Sequence, residues 1–526
     1  MTNASRPVVN AQIIPANIFE AFGSRHDLIV GQIYTGAGTA TSGALYRNVQ
    51  ALNNSEINAL FGIDTELTQR IDDYLIASDR QVELSVIPVA DDGSALAATS
   101  DITFTGTSAT EVGIFSISLV DEYKYTVDVS VVVGDTPSTM GVKAQAAIAA
   151  LLACPVSAVE STGVVTLTSK NKGDVGNTYG LRVSQSGAAG LGVGIDAFTG
   201  GATNPDPTGV LDVLGEIRVT GISWPEAWDG LTEIATVKDF LTDRFDVQNN
   251  VQDGVAFIGK TDTYANNKAF AEGYNSQVLV FGGNNLVAET LHKGPIILKP
   301  ADCVMTVFMA IRSKRLTEGS LISGDIVARN GLLDNVGGPS LASLPYFNTA
   351  DRRAKVPAEV GLTYTQQEEY DLLDAGFTVF GINAAGNTII FRDVATTYKT
   401  DTTGNPNASF KYLNYVDTGS VCREILFNSA KTRFAQTRLT TGELEFGRNM
   451  ENDASIKSHY MGVIKDLGDL ALLASGAYAE LEMSDNTVVT IDTANRSASV
   501  AGPIILVTQL GTITYSLQFQ FASVTA

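Results

Sequence analysis

The residue types that ordinarily carry chemistry are sparse and scattered in this chain. Its three histidines, His26, His292 and His459, stand far apart, and none has Cys, Asp or Glu at metal-ligand spacing. The three cysteines, Cys154, Cys303 and Cys422, form no C-x-x-C pair and are odd in number. That pattern indicates neither a zinc site nor a disulfide framework and fits reduced thiols. No H-E-x-x-H, EF-hand loop, G-x-S-x-G or P-loop occurs. The glycine-rich run Gly187–Gly194 misses the G-x-G-x-x-G spacing and reads as a flexible loop. The adjacent carboxylates Asp72-Asp73 and Glu368-Glu369 fall in amphipathic helical patterns, where a solvated face accounts for them. These residues assign no catalytic group, metal or cofactor.

One cluster stands out. Between residues 419 and 440, Arg423, Lys431, Arg433 and Arg438 meet a single acid, Glu424, so the segment is +3 in a chain of net charge −22. At about 100° per residue, Arg423, Lys431 and Arg438 fall within roughly 80° of one another on a continuous helix over Gly419–Leu439. Such a face can lie against an acidic partner surface, or be solvated and paired with the chain's own acids. Arg312-Ser-Lys314-Arg315 and Arg352-Arg353-Ala-Lys355 are weaker clusters.

The end of the chain carries the clearest strand pattern. Ile513, Tyr515, Leu517, Phe519 and Phe521 alternate with Thr514, Ser516, Gln518 and Gln520. The strand can pair within its own domain, or be donated to a neighbour's sheet. Burying five such side chains contributes at most about 8–15 kcal/mol, against roughly 4–15 kcal/mol of association entropy. One donated strand is thus marginal alone and effective when repeated in a lattice.

The elements that must position these groups are mixed. At roughly 100–200 residues per domain, 526 residues predict three or four domains. Hydrophobic residues at 44% and charged residues at 17% describe a globular chain able to bury a core. An excess of 57 acids over 35 bases repels phosphate, so direct nucleic-acid binding is not expected. The N-terminus lacks a charged-then-apolar signal pattern, and no apolar run approaches ~20 residues, so neither secretion nor membrane insertion is expected.

Residues 1–20 read as an N-terminal arm or first strand, with Val8, Val9 and Ile13 between Pro7 and Pro15. Residues 21–95 and 205–404 alternate strand and helix, as one sheet flanked by helices would. Strands are expected at Leu28–Ile33, Val82–Val89, Gly254–Gly259, Val278–Phe281, Val379–Gly381 and Asn387–Arg392. Helices are expected at Asn54–Leu60, Thr65–Ser78, Leu231–Phe245 and Thr363–Gly376. Residues 96–204, rich in Thr, Ser, Gly and Val with one helix near Thr139–Leu152, read as an inserted β-rich domain. Residues 405–526 form a last unit with the basic helix, then strands Ala479–Met483 and Thr487–Ile491 around an Asp485-Asn486 turn. The expected class is α+β or α/β and multidomain, with mixed sheets, a β-rich insert and extended terminal arms.

The order of several segments is similar to the tail sheath family of contractile phages, in its Mu-like branch. The segments are Ala358-Glu-Val-Gly-Leu-Thr-Tyr-Thr-Gln-Gln-Glu-Glu-Tyr370, Gly386-Asn-Thr-Ile-Ile-Phe-Arg-Asp-Val-Ala-Thr-Thr-Tyr398, Lys399-Thr-Asp-Thr-Thr-Gly-Asn-Pro406 and Tyr412-Leu-Asn-Tyr-Val416. In the insert, Gly163–Asn177 and Phe198–Pro205 add to the likeness. Residues 440–526 extend past the recognised pattern. The resemblance implies a non-enzymatic subunit of six-fold rings stacked on a tail tube, bounded by baseplate and tail terminator proteins, and contracting to drive the tube through the host envelope. It implies a virion-tail component assembled in the host cytoplasm, with terminal arms that add strands to neighbouring subunits. Those arms would use Val8, Val9 and Ile13, and Ile513, Tyr515, Leu517, Phe519 and Phe521. It also places helix 419–440 toward the tube, making Arg423, Lys431, Arg433 and Arg438 candidate tube contacts. A headless contractile bacteriocin particle fits the same pattern. An acidic secreted surface-layer protein or adhesin, and an enzyme, are competing classes.

Overall fold

The computed structural model describes residues 25–120, 125–245, 252–283, 300–317, 364–382, 388–390, 394–444, 449–469, 473, 477–492 and 497–506. In chain order the strands are β1 His26–Ile33, β2 Glu83–Ala90, β3 Thr99–Gly106, β4 Gly113–Leu119, β5 Thr126–Val131, β6 Val156–Ser161, β7 Val164–Ser169, β8 Leu181–Gly187 and β9 Leu191–Ile195. They continue as β10 Gly221–Trp224, β11 Val255–Gly259, β12 Leu279–Gly283, β13 Phe377–Ile382, β14 Thr388–Ile390, β15 Arg438–Leu439, β16 Met450–Glu451, β17 Val488–Asp492 and β18 Ser497–Ala501. The helices are α1 Asn54–Phe61, α2 Glu66–Ala77, α3 Pro137–Ala149, α4 Leu231–Phe245, α5 Tyr264–Glu272, α6 Ala301–Thr317, α7 Gln366–Ala375, α8 Leu413–Phe434, α9 Asp453–Asp469 and α10 Ala477–Asp485.

A seven-stranded sheet in the order β14-β13-β12-β11-β10-β1-β2 forms the frame, parallel except at β13–β14. Its strands are short and apolar on both faces, as a sheet covered by helices on two sides requires. Alternate residues sort accordingly. Leu28, Val30, Ile258 and Phe281 join a core with α4, α5 and α7, while Ile29, Phe257 and Val280 join a second core with α2 and α6. Pro88 lies in β2, which is the edge strand, consistent with proline's missing N–H. Gly259 marks a close approach, since a Cβ there would sit 2.2 Å from the Asp302 backbone nitrogen at the start of α6.

The local signals behave as their chemistry predicts. Asn53 with Glu56, and Thr365 with Glu368, form capping boxes, and Gly376 closes α7 in the left-handed region at φ 90°. Between β2 and β10 the chain builds two antiparallel sheets, β6-β7-β3-β9 and β5-β4-β8. Their inner residues, among them Phe104, Phe115, Val165 and Leu181, share one core with Met140 and Ile148 of α3. A third, small core joins Val421, Cys422 and Ile425 of α8 to Val463, Ile464 and Leu467 of α9.

The mixed α/β class is observed, and three local expectations are corrected. Gly187–Gly194 is not a loop throughout: β9 starts at Leu191 and pairs with β3, whose backbone supplies the bonds that the glycines' weak strand propensity does not. Ala479–Met483 is helical, within α10; the alternation of Leu481 and Met483 comes from one outward and one core-facing helical position. Hence no hairpin turns at Asp485-Asn486. The basic helix ends at Phe434 rather than Leu439.

Candidate functional site

Helix α8 enters the protein as an interior element and leaves it as a surface one. Leu413, Val416, Asp417, Val421, Cys422 and Ile425 are buried, whereas Phe427, Lys431 and Arg433 are exposed. Lys431 and Arg433 lie in the last turn, where cations complement the helix dipole. This layout separates the four basic residues proposed from the sequence.

Arg423 turns inward. Its guanidinium sits 3.1 Å from the Asp253 carboxylate and 4.6 Å over the Phe245 ring. Burial raises the Asp253 carboxyl pKa, and the Arg423 charge opposes that shift. Its neighbour Glu424 is bonded to Arg218 at 2.6 Å. Arg433 reaches Glu451 at 3.5 Å and remains half exposed. Lys431 is exposed, with its ammonium 5.9 Å from the Phe427 ring. Arg438 is exposed on β15, beyond the helix, so the common helical face with Arg423 and Lys431 is not formed. The strand-arm positions Val8, Val9, Ile13, Ile513, Tyr515, Leu517, Phe519 and Phe521 lie outside the described residues, as does the cluster Arg352-Arg353-Ala-Lys355.

Sequence reasoning missed the buried half of α8. Arg312 of α6 grips Asp417 with Nε at 2.9 Å from Oδ2 and with Nη2 on Oδ1, and the two side chains are 1% and 2% exposed. Asp27 of β1 lies in the same region, accepting from Tyr74 at 2.9 Å and Thr220 at 3.1 Å. Burial raises the Asp27 carboxyl pKa and lowers that of the nearby Arg25 guanidinium to about 10. A clue stands in the sequence: Asp27 directly precedes the apolar run Leu28-Ile-Val30.

A second unforeseen feature is the ribbon β17–β18. It is a two-stranded antiparallel sheet with no further strand on either edge among the described residues. Every residue of β18 is exposed. Isolated two-stranded ribbons are marginal in water, and unpaired edges are templates for further strands.

The groups that could do chemistry are engaged structurally. His26 bonds Ser85 at 2.7 Å and His459 bonds Ser429 at 3.1 Å; burial lowers both imidazole pKa values, favouring the neutral ring. His292 lies outside the described residues. The three thiols are buried, and burial pushes the Cys422 thiol up to about 12, so it is not a ready nucleophile. Asp73 is buried rather than solvated, and Glu368 caps α7. Among the described residues no group of three His, Cys, Asp or Glu side chains could hold a metal ion, and no helix is long and apolar enough to cross a membrane.

No family model matches the chain. It is 26% identical over 401 residues, 75% of its length and 73% of the relative's, to the Mu-like prophage FluMu tail sheath protein of Haemophilus influenzae. Among solved structures it is similar to a sheath tail protein from Listeria innocua, at TM-score 0.46 and 11% identity over 94% of this chain and 96% of that one. It is also similar to a sheath tail protein from Desulfitobacterium hafniense, at TM-score 0.42 and 11% identity over 96% and 99%. The resemblance read from the sequence is thus met by a homologue of the same description.

Proposed function

From its kinship with a Mu-like tail sheath protein, we propose that this chain is a structural subunit of a contractile tail sheath. In this reading, copies stack as six-fold rings around a tail tube, bounded by baseplate and terminator proteins, and repack to drive the tube through the host envelope. The work comes from subunit packing and not from a catalysed reaction. The subunit is assembled in the host cytoplasm and functions in the virion tail. Residues 405–526 face the tube, residues 96–204 face outward as an insert in 21–95 plus 205–404, and residues 1–20 act as an arm. The observation that carries the reading is the similarity over 401 residues. The two edges of β17–β18, unpaired among the described residues, support it, since an acceptor for neighbouring arms needs such edges.

Negative-stain electron microscopy of the purified chain, with and without its co-expressed tube protein, tests the proposal. Striated hollow tubes in either preparation are expected. Dispersed monomers in both would overturn it.

For tube contact, the exposed cations Lys431 and Arg438 are the candidates, with Arg433 partly engaged by Glu451 and Arg423 committed to Asp253. Reversing Lys431 and Arg438 to glutamate is expected to weaken assembly on the tube at low salt, with the difference from the parent shrinking as salt rises over a Debye length of about 10 Å at 0.1 M. A salt dependence identical to the parent's would exclude these two side chains from the contact.

A further inference from the structure

The β-rich unit meets the parallel sheet through a buried polar seam. Gln32 at the end of β1 and Asn171 after β7 are both fully buried there. Asn171 Oδ1 accepts the Glu66 backbone N–H at 3.0 Å, and its Nδ2 donates to Asp91 at 3.3 Å. Gln32 Nε2 donates to Asp91 at 2.7 Å and to the Lys172 carbonyl at 2.6 Å. The Lys172 N–H donates to Asp91 at 2.9 Å, and Lys170 is ion-paired with Asp64. Further along, Asn204 donates to Asp174 at 2.9 Å and to the Ala227 carbonyl at 2.7 Å.

Beneath the seam lie three buried carboxylates, Glu66, Glu226 and Asp302. Glu66 pairs with Arg70 at 2.8 Å and accepts the Gln32 N–H at 2.7 Å. Glu226 accepts N–H groups from Ala301 at 2.8 Å and Thr261 at 2.6 Å, and its own N–H donates to Asp302 at 3.2 Å. Asp302 also accepts the Cys303 N–H at 2.7 Å. Among the described residues two cations face the cluster. Arg70 is fully buried and divides its donors among Glu66, the Val30 carbonyl, Ser223 and Thr306. Lys260 is paired with Asp229 at 2.5 Å. The other titratable groups nearby are Tyr179 and Cys303, neutral when protonated, and in the seam itself Asp91 and Asp174, whose carboxyl pKa values burial also raises. The cleft bordered by Glu66, Tyr179, Asp302 and Cys303 measures about 10 Å³, room for one water and too little to hydrate several charges.

We propose that this seam is a protonation-sensitive latch: a proton on Glu66 or Glu226 keeps the β-rich unit seated on the sheet, and its loss eases segment 170–179 off. With all three carboxylates ionised, the site holds like charges with too little compensation, and opening the seam admits water to them. Burial, opposed by Arg70 and reinforced by Asp302, raises the Glu66 carboxyl to about 7. Burial, then the Asp302 charge, does the same for Glu226. The ordinary value is 4.5, so the closed state holds a proton that the open, hydrated state has released between pH 4.5 and about 7. Opening therefore grows with pH across that window, by about tenfold per pH unit for one proton, and levels off above it.

Amide hydrogen exchange of the full chain between pH 5 and 8, corrected for intrinsic rates, reads this directly. Protection of 170–179 is expected to fall about tenfold per pH unit between pH 5 and 7, while β3 and β7 amides keep theirs. In Asp302→Asn, which removes the neighbouring charge, the midpoint should move down, and in Glu226→Gln the dependence should flatten. Protection independent of pH, or an unshifted midpoint in Asp302→Asn, overturns the latch. Should the variants not fold, two readouts of the parent chain decide together: a protonated-carboxyl infrared band lost over the same pH range in which 170–179 loses protection supports the proposal, and no such band at pH 5.5, or one lost with no change in that protection, overturns it.

Discussion

Asp417→Ala is expected to cost about 3–5 kcal/mol, because it strands the Arg312 charge in the interior. Arg312 is 1% exposed, and two of its nitrogens are committed to Asp417. Its guanidinium also lies 5.3 Å from the centre of the Phe257 ring, so the site offers packing but little water. A chain of this size does not unfold in one step, so the loss is best read locally, as hydrogen-exchange protection of α8 and α6. Protection there should collapse while β11 and β12 retain theirs. The double variant Arg312→Met with Asp417→Leu should recover part of it, since an apolar pair of similar volume avoids both desolvation costs while the buried Arg25 still loses the Asp417 charge. If Asp417→Ala and the double variant exchange alike, the pair does not hold the helix. Under the proposed function, this clamp makes α8 and the seven-stranded sheet a single body, so a load on the exposed end near Lys431 passes into the sheet.

The contrast between this clamp and the sheet explains what the sequence could and could not disclose. Leu28–Ile33 and Val278–Phe281 are legible because a strand buried on both faces must be apolar at successive positions. Helix α7 is legible because a capping threonine and a terminal glycine bracket it. Arg312 and Asp417 stand 105 residues apart, and no local pattern announces that two charges will be buried against one another. The same holds for Asn171 and Glu66, also 105 residues apart. Of the basic cluster, composition revealed the excess of cations but not their sorting. The Arg423 partner, Asp253, comes from the segment before β11, and only the folded chain shows that α8 turns from interior to surface midway. Strand β9 was hidden for a related reason: its pairing with β3 is tertiary, and glycine content alone argued for a loop.

The β17–β18 ribbon yields a sharper test of assembly than removal of either arm, because it separates the acceptor edge from the ribbon's own ladder. Successive N–H groups along a strand point to opposite sides, so of two adjacent residues in β18 one donates toward β17 and the other outward. Proline at Ser499 and proline at Val500 therefore delete one inward and one outward donor. Thr490 faces Ser499 and Val489 faces Val500, so both positions lie within the paired register. The inward substitution should loosen the ribbon, seen as faster exchange of Val489–Ile491 amides in the monomer. The outward substitution should leave the monomer's exchange unchanged, because β18 is exposed and unpaired on that side among the described residues. If that edge receives a neighbour's arm, both variants stop tube formation, and the outward one does so without loss of fold. Normal tubes from the outward variant would show that the β18 edge accepts no strand, and would leave connection of the rings to the β17 edge and to side-chain contacts.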